Sequence, residues 1–112
     1  MKPHAVRGHL DAMILAVIEH EPRHGYAIME ALHRRSGGVV DVPAGTIYPA
    51  LRRLERVGHV RSAWSNVSGR DRRTYTLTPE GRGALAKERE SWRSLAGAME
   101  GILGNELRTR TT

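Results

Sequence analysis

Apolar residues along the chain keep two rhythms, and the change from one to the other sets the order of elements. Leu10, Met13, Ile14, Val17 and Ile18 recur at helical spacing, which predicts a first helix over about residues 9–20, closed by Pro22. Ala27, Ile28, Ala31 and Leu32 mark a second helix from near His24 that stops at Ser36-Gly37-Gly38. The connection Val39-Val40-Asp41-Val42-Pro43 is short and extended. Thr46 is then expected to cap a third helix, with Ile47 at its first position and Pro49 in its first turn, where a missing N–H costs nothing. That helix closes at Gly58. Ile47, Leu51 and Leu54 take its inner face, which leaves Arg52, Arg53 and Arg56 outward within little more than one turn.

After Gly58 the period shortens to two. Val60, Ser62 and Trp64 alternate with His59, Arg61 and Ala63, and later Arg73, Tyr75 and Leu77 alternate with Arg72, Thr74 and Thr76. These are two short strands joined by a polar, basic tip over residues 65–71. Thr78-Pro79-Glu80 supplies a cap, a proline at the first helical position and an acid in the first turn. A long helix over about 79–104 follows, with Trp92, Leu95, Ala96, Met99, Ile102 and Leu103 as its apolar stripe. Gly97, Gly101 and Gly104 each weaken it by about 1 kcal/mol relative to alanine. The predicted fold is mainly α with a small two-stranded β-hairpin: a winged helix-turn-helix over residues 1–78, then a C-terminal helix and tail over 79–112.

Composition narrows the function. The chain has 112 residues, 39% of them hydrophobic, which suits one core and leaves little room for a large internal cavity. It has no cysteine, so disulfides, thiolate zinc sites and thiol nucleophiles are excluded. The longest apolar run, Ala12 to Ile18, is far below the roughly twenty residues a bilayer requires, so neither a membrane span nor a signal peptide is expected and a cytoplasmic location is. The net charge of +6 is unevenly spread. Residues 1–43 hold five bases and five acids, residues 84–112 hold five and four, and residues 44–83 hold eight and three, so the middle third carries +5. Sixteen of the 18 bases are arginine, whose planar fork suits phosphate and guanine edges. Charge and topology point to one face, because a major groove about 12 Å wide admits one helix while a two-stranded ribbon reaches the backbone beside it.

Three ordered segments carry a family resemblance: His24-Gly25-Tyr26-Ala27-Ile28; Gly45-Thr46-Ile47-Tyr48-Pro49-Ala50-Leu51-Arg52-Arg53-Leu54-Glu55; and Gly69-Arg70 leading to Arg73-Thr74-Tyr75-Thr76-Leu77-Thr78-Pro79-Glu80-Gly81. Over about residues 8–103 the chain resembles PadR-type transcriptional regulators of the short class with a single C-terminal helix. The resemblance implies a dimeric DNA-binding repressor, often controlling efflux or detoxification genes and released by a small molecule. Helix length supports pairing on its own grounds, since about 26 residues at about 1.5 Å each span about 39 Å, more than this core can cover. A twofold dimer sets two recognition helices about 34 Å apart and predicts a pseudo-palindromic operator on double-stranded DNA.

Residue roles follow. Thr46, Tyr48, Pro49, Arg52 and Arg53 lie at the start and outer face of the recognition helix and are the expected DNA contacts, with Tyr48 able to pack and still donate to phosphate. Arg70, Arg72 and Arg73 form the wing set, of which two are expected to touch DNA and at least one can instead pair with Asp71 or Glu80. Tyr26 and Tyr75 are expected to pack. Lys2, His4 and Arg7 form a candidate arm along the backbone. Leu85, Trp92, Leu95, Ala96, Met99, Ile102 and Leu103 are the expected dimer contacts. Glu90-Ser91-Trp92 is similar to the place where some members of the family stack planar drugs, so Trp92, with Leu95 and Met99, is the candidate site for a planar aromatic or phenolic effector; the competing reading is that Trp92 fills the dimer core. His20 and His24 have the spacing of a helical metal pair, but Pro22 breaks the face they would share, and a metal-responsive regulator or a winged-helix protein-interaction module stays as the alternative. No phosphate loop, zincin pair or nucleophile elbow occurs, so no catalytic residue, metal or cofactor is expected.

Overall fold

The computed structural model describes residues 9–104. Its elements are α1 (Leu10–Val17), β1 (Arg23–His24), α2 (Gly25–Arg35), α3 (Ala44–Arg56), β2 (Val60–Val67), β3 (Arg70–Leu77) and α4 (Pro79–Leu103). Ile14, Ile28, Ile47 and Leu51 are fully buried where α1, α2 and α3 converge, and Val60, Tyr75 and Leu77 bring the sheet onto the same core. Each such aliphatic side chain contributes about 1.5–3 kcal/mol, so these contacts set the angle between the helices.

Three boundaries differ from expectation. The sheet has three strands in the order β1-β3-β2, because Arg23 pairs with Tyr75 and His24 with Thr74. A two-residue strand is too short to leave an alternation in sequence. The hairpin tip is also tighter than residues 65–71: pairing runs to Val67↔Arg70, and only Ser68 and Gly69 turn, with φ of 53° and 81°. Both residues in the left-handed region match a type I′ turn, whose twist agrees with that of the strands. Finally, α3 starts at Ala44 rather than after Thr46. Pro43, extended at φ −75° and ψ 161°, is its N-cap, and its carbonyl accepts from Thr46 N and Ile47 N at 2.9 and 3.0 Å. Pro49 is therefore the sixth helical residue and sits in the helix interior, where it removes a ladder bond; Gly45, which would have accepted it, is exposed to water.

Thr78 ties the wing to α4. Its hydroxyl donates to the Gly58 carbonyl at 2.6 Å and accepts from Gly81 N at 3.0 Å, the N-cap that the sequence indicates. The first two turns of α4 then enter the core. Leu85 is 3% exposed in the single chain and packs in its core, which corrects its assignment to the dimer contacts. Beyond it the helix runs outward, and the described chain measures 58 × 27 × 23 Å.

Candidate nucleic-acid interface

The outer face of α3 is set by the burial of the inner one. With Ile47, Ala50, Leu51 and Leu54 in the core, the helical period leaves Thr46, Tyr48, Pro49 and Arg52 exposed. Tyr48 does both things weighed for it. A Cβ on Gly25 would stand 2.5 Å from its hydroxyl and 2.6 Å from its ring, so a side chain at residue 25 would push the Tyr48 ring aside. The phenol nevertheless keeps 38% of its surface. Tyr26, expected to pack, is 55% exposed on α2 instead, because the core-facing positions of that helix go to Gly25, Ile28, Ala31 and Leu32.

The neighbours Arg52 and Arg53 have opposite fates. Arg52 has no ion-pair partner among the described residues. Arg53 lies about 100° further round the helix and reaches back to α1, donating to both carboxylate oxygens of Asp11 at 2.6 and 3.4 Å. That bridge is half exposed and worth at most about 1 kcal/mol. Arg53 is thus ion-paired, whereas Arg52 is in no ion pair among the described residues.

The pleat divides the wing cations. Arg73 shares a sheet face with Ser62, Trp64 and Tyr75, whereas Arg70 and Arg72 share the other with Arg61 and Thr74. On the first face Arg73 donates from Nε to Ser62 Oγ at 2.9 Å, lies 3.9 Å from Glu55 of α3, and covers the Trp64 ring at 5.6 Å. Tyr75 is buried as expected; burial raises its phenol, reinforced by the Glu55 and Tyr48 charges and opposed by Arg73 and Arg52. Glu55 and Arg73 meet where α3 adjoins the wing, and Arg52 and Tyr48 lie about one and two turns before Glu55 on the same side of that helix. On the second face, burial and then the Arg72 charge lower His24, whose Nδ1 caps α2 by accepting from Ala27 N at 3.3 Å. Capping occupies His24 Nδ1, and the described residues hold no group of three or more metal-ligating side chains.

Sequence reasoning missed Trp64, Glu55 and Asp11. The signal for Trp64 was present, since a two-residue turn at Ser68-Gly69 forces residue 64 opposite residue 73. Asp11 and Glu55 carry no local signal. The candidate arm of Lys2, His4 and Arg7 lies outside the described residues.

A second surface lies on α4. Trp92, Leu95, Met99, Ile102 and Leu103 are exposed by 45–78%, with Ala96 half-buried between them. Trp92 also closes a groove of about 350 Å3 between α1 and α4, together with Met13, Ala16, Leu85 and Arg89, and meets His9 edge-on at 6.2 Å between centroids. Leu95 and Met99 lie beyond the groove, further along the helix. No helix among the described residues is long and apolar enough to cross a membrane.

Known proteins share this plan. The PadR-like transcriptional regulator family matches residues 14–87. Transcriptional regulator Rv3488 of Mycobacterium tuberculosis is 38% identical over 86 residues, 77% of this chain and 75% of that protein. Among solved structures, a PadR family transcription regulator from Clostridium difficile R20291 is 33% identical with a TM-score of 0.75, covering 86% of this chain and 99% of that one. A PadR-like regulator from Bacillus cereus is 26% identical with a TM-score of 0.81, covering 92% and 99%. With two-thirds of its length inside the family match and its winged helix shared with these regulators, the chain belongs to the PadR-like family of transcriptional regulators.

Proposed function

We propose that the protein is a cytoplasmic repressor that binds operator DNA as a homodimer and silences a promoter by occupying it. The observation that carries this reading is that Tyr48 and Arg52 share the exposed side of α3 that joins Arg73 of the wing through Glu55, with Arg52 in no ion pair among the described residues. A free guanidinium beside a phenol on an exposed helix face is the chemistry that reads guanine edges and grips phosphate. Thr46 and Pro49 accompany them into the major groove. Arg70 and Arg72, on the other face of the ribbon, reach the second wall of the adjoining groove, so the split of the wing cations suits an edge-on ribbon.

In this reading the chain divides in function near residue 78, and the distal part of α4 is the pairing arm. Leu95, Ala96, Met99, Ile102 and Leu103 supply its contacts, because an exposed apolar stripe of this length calls for a second helix. The groove beside Trp92 has the size and apolar lining of a small-ligand site, and a planar aromatic effector stacked there would change the angle between the two DNA-reading heads. No covalent chemistry is involved.

Genome-wide footprinting of the purified protein at physiological salt tests the reading, and gives the half-site spacing with it. On a recovered site, Arg52→Ala is expected to cost about 1–3 kcal/mol of binding and to relax specificity. Arg72→Ala should weaken every duplex alike and lower the salt slope by about one. An absent footprint, or full affinity in both variants, would leave a protein-interaction module as the better account.

A further inference from the structure

The wing carries an exposed tryptophan that a folded domain has no use for. Trp64 keeps 68% of its surface on β2, yet its position is specified. It stands directly across from Arg73 in the strand register, and the Arg73 guanidinium covers its ring at 5.6 Å, within the range of cation–π attraction. Arg73 is fixed in turn. Its Nε donates to Ser62 Oγ at 2.9 Å, and the Ser62 hydroxyl donates to Glu55 Oε2 of α3 at 2.6 Å. The same carboxylate lies 3.9 Å from Arg73 Nη2. A chain of contacts thus runs from the recognition helix to an indole on the hairpin, all on the sheet face that meets the outer side of α3.

We infer that Trp64 and Arg73 form a stacked platform that rests on the sugar–phosphate backbone flanking the groove entered by α3, and that Glu55, through Ser62, is the positioning residue that makes helix and platform engage DNA as one body. The inference rests on the DNA-binding reading above. The occupant follows from the surroundings. An indole face packs on deoxyribose while its N–H donates to a phosphate oxygen, and a guanidinium lies beside it for the next phosphate. Of the charged side chains around this face, Arg52 and Arg73 are cationic; Glu55 is engaged by Ser62 and Arg73, and Asp71, toward the hairpin tip, accepts from Asn66 Nδ2 at 3.4 Å. Glu55 also has a second effect. Its charge faces the approaching backbone, so it penalises any duplex that does not offer α3 its specific contacts.

Equilibrium binding of wild type and variants to a footprinted site and to an unrelated duplex, each across a salt series, tests this. Trp64→Ala is expected to weaken both complexes about tenfold and Trp64→Phe about threefold, with thermal unfolding unchanged because the ring is mostly outside the core. Glu55→Gln keeps an acceptor for Ser62 and removes the charge. It is expected to tighten the unrelated duplex several-fold and narrow the gap between the two, which a residue of purely structural role would not do. With wild type bound and Arg52→Ala weakened, full affinity in Trp64→Ala would overturn the platform and leave the DNA reading standing. Failure of wild type to bind any duplex would overturn both. Should Trp64→Ala unfold early, the 19F resonance of 5-fluorotryptophan at position 64, assigned through Trp64→Phe, decides the matter: a shift on adding DNA supports the contact, and an unmoved resonance refutes it.

Discussion

The proximal and distal halves of α4 place their large apolar residues in opposite surroundings. From Pro79 to Arg89 the helix is built into its own subunit: Thr78 caps it, Leu85 is 3% exposed, and Arg89 donates from both terminal nitrogens to Glu19 at 2.8 Å. From Trp92 onward the stripe faces solvent, with Ile102 at 78% and Leu103 at 69% exposed. One continuous helix therefore serves as core at one end and as unmatched surface at the other. Periodicity records that a side will be covered and says nothing of which molecule covers it.

Truncation at matched positions is the strongest way to break this contrast. Leu85→Ala should lose about 2–5 kcal/mol of unfolding free energy, since a buried leucine leaves a cavity in a core this small. Ile102→Ala should change the stability of a dilute, dissociated sample by no more than about 0.5 kcal/mol and lower the apparent stability only where the protein is concentrated enough to pair. Urea titrations at two protein concentrations, with sedimentation to report association, separate the two. Equal, concentration-independent losses would mean that the distal half folds back on its own subunit.

A smaller effect sharpens the proximal half. The hydrogen bond from Arg89 holds the Glu19 carboxyl below its ordinary value of 4.5; burial opposes this, and the charges of Arg89, His20 and Arg82 assist it. The unfolded chain then takes up a proton at higher pH than the folded one, so stability rises with pH across that window. The contribution is complete above about pH 4.5 and is lost as pH falls through the folded-state value. Glu19→Gln should therefore be less stable than wild type at neutral pH, with the difference shrinking as the solution is acidified below the ordinary carboxyl value. Melting midpoints at the two ends of that range check it, and a gap that widens on acidification would contradict the linkage.

Much of the element order was legible in sequence because each helix and strand carries its own period and punctuation: the stripe of α1, the Gly37-Gly38 stop, the Thr78-Pro79 start. The outer face of α3 was legible for the same reason. What escaped depends on contacts between distant residues. Arg52 and Arg53 look alike in sequence, and only Asp11, 42 residues away, separates them. Leu85 and Leu95 occupy comparable stripe positions, and only the place where α1 ends against α4 makes one of them core. Strand β1 exists because β3 offers an edge, not because Arg23-His24 prefers to be extended. The family match stops at residue 87, close to where the helix leaves the core of the domain.

The finest test of that distal half uses its glycines. Gly97 and Gly101 lie about 140° and about 180° round the axis from Trp92, on the side away from the apolar stripe. A Cβ at either position meets nothing within 4 Å. Alanine there should stabilise the distal helix by about 1 kcal/mol per site, read as slower amide exchange from residue 97 to 103. Because neither position lies on the proposed pairing face, self-association should hold or tighten slightly as the arm becomes better ordered before it pairs. If Gly97→Ala weakened association instead, two helices would have to approach on the glycine side, and the stripe through Trp92 and Ile102 would need a cover other than a second copy of the chain. The same substitution thus reports on helix strength through exchange and on the choice of face through association, and the two readouts are independent.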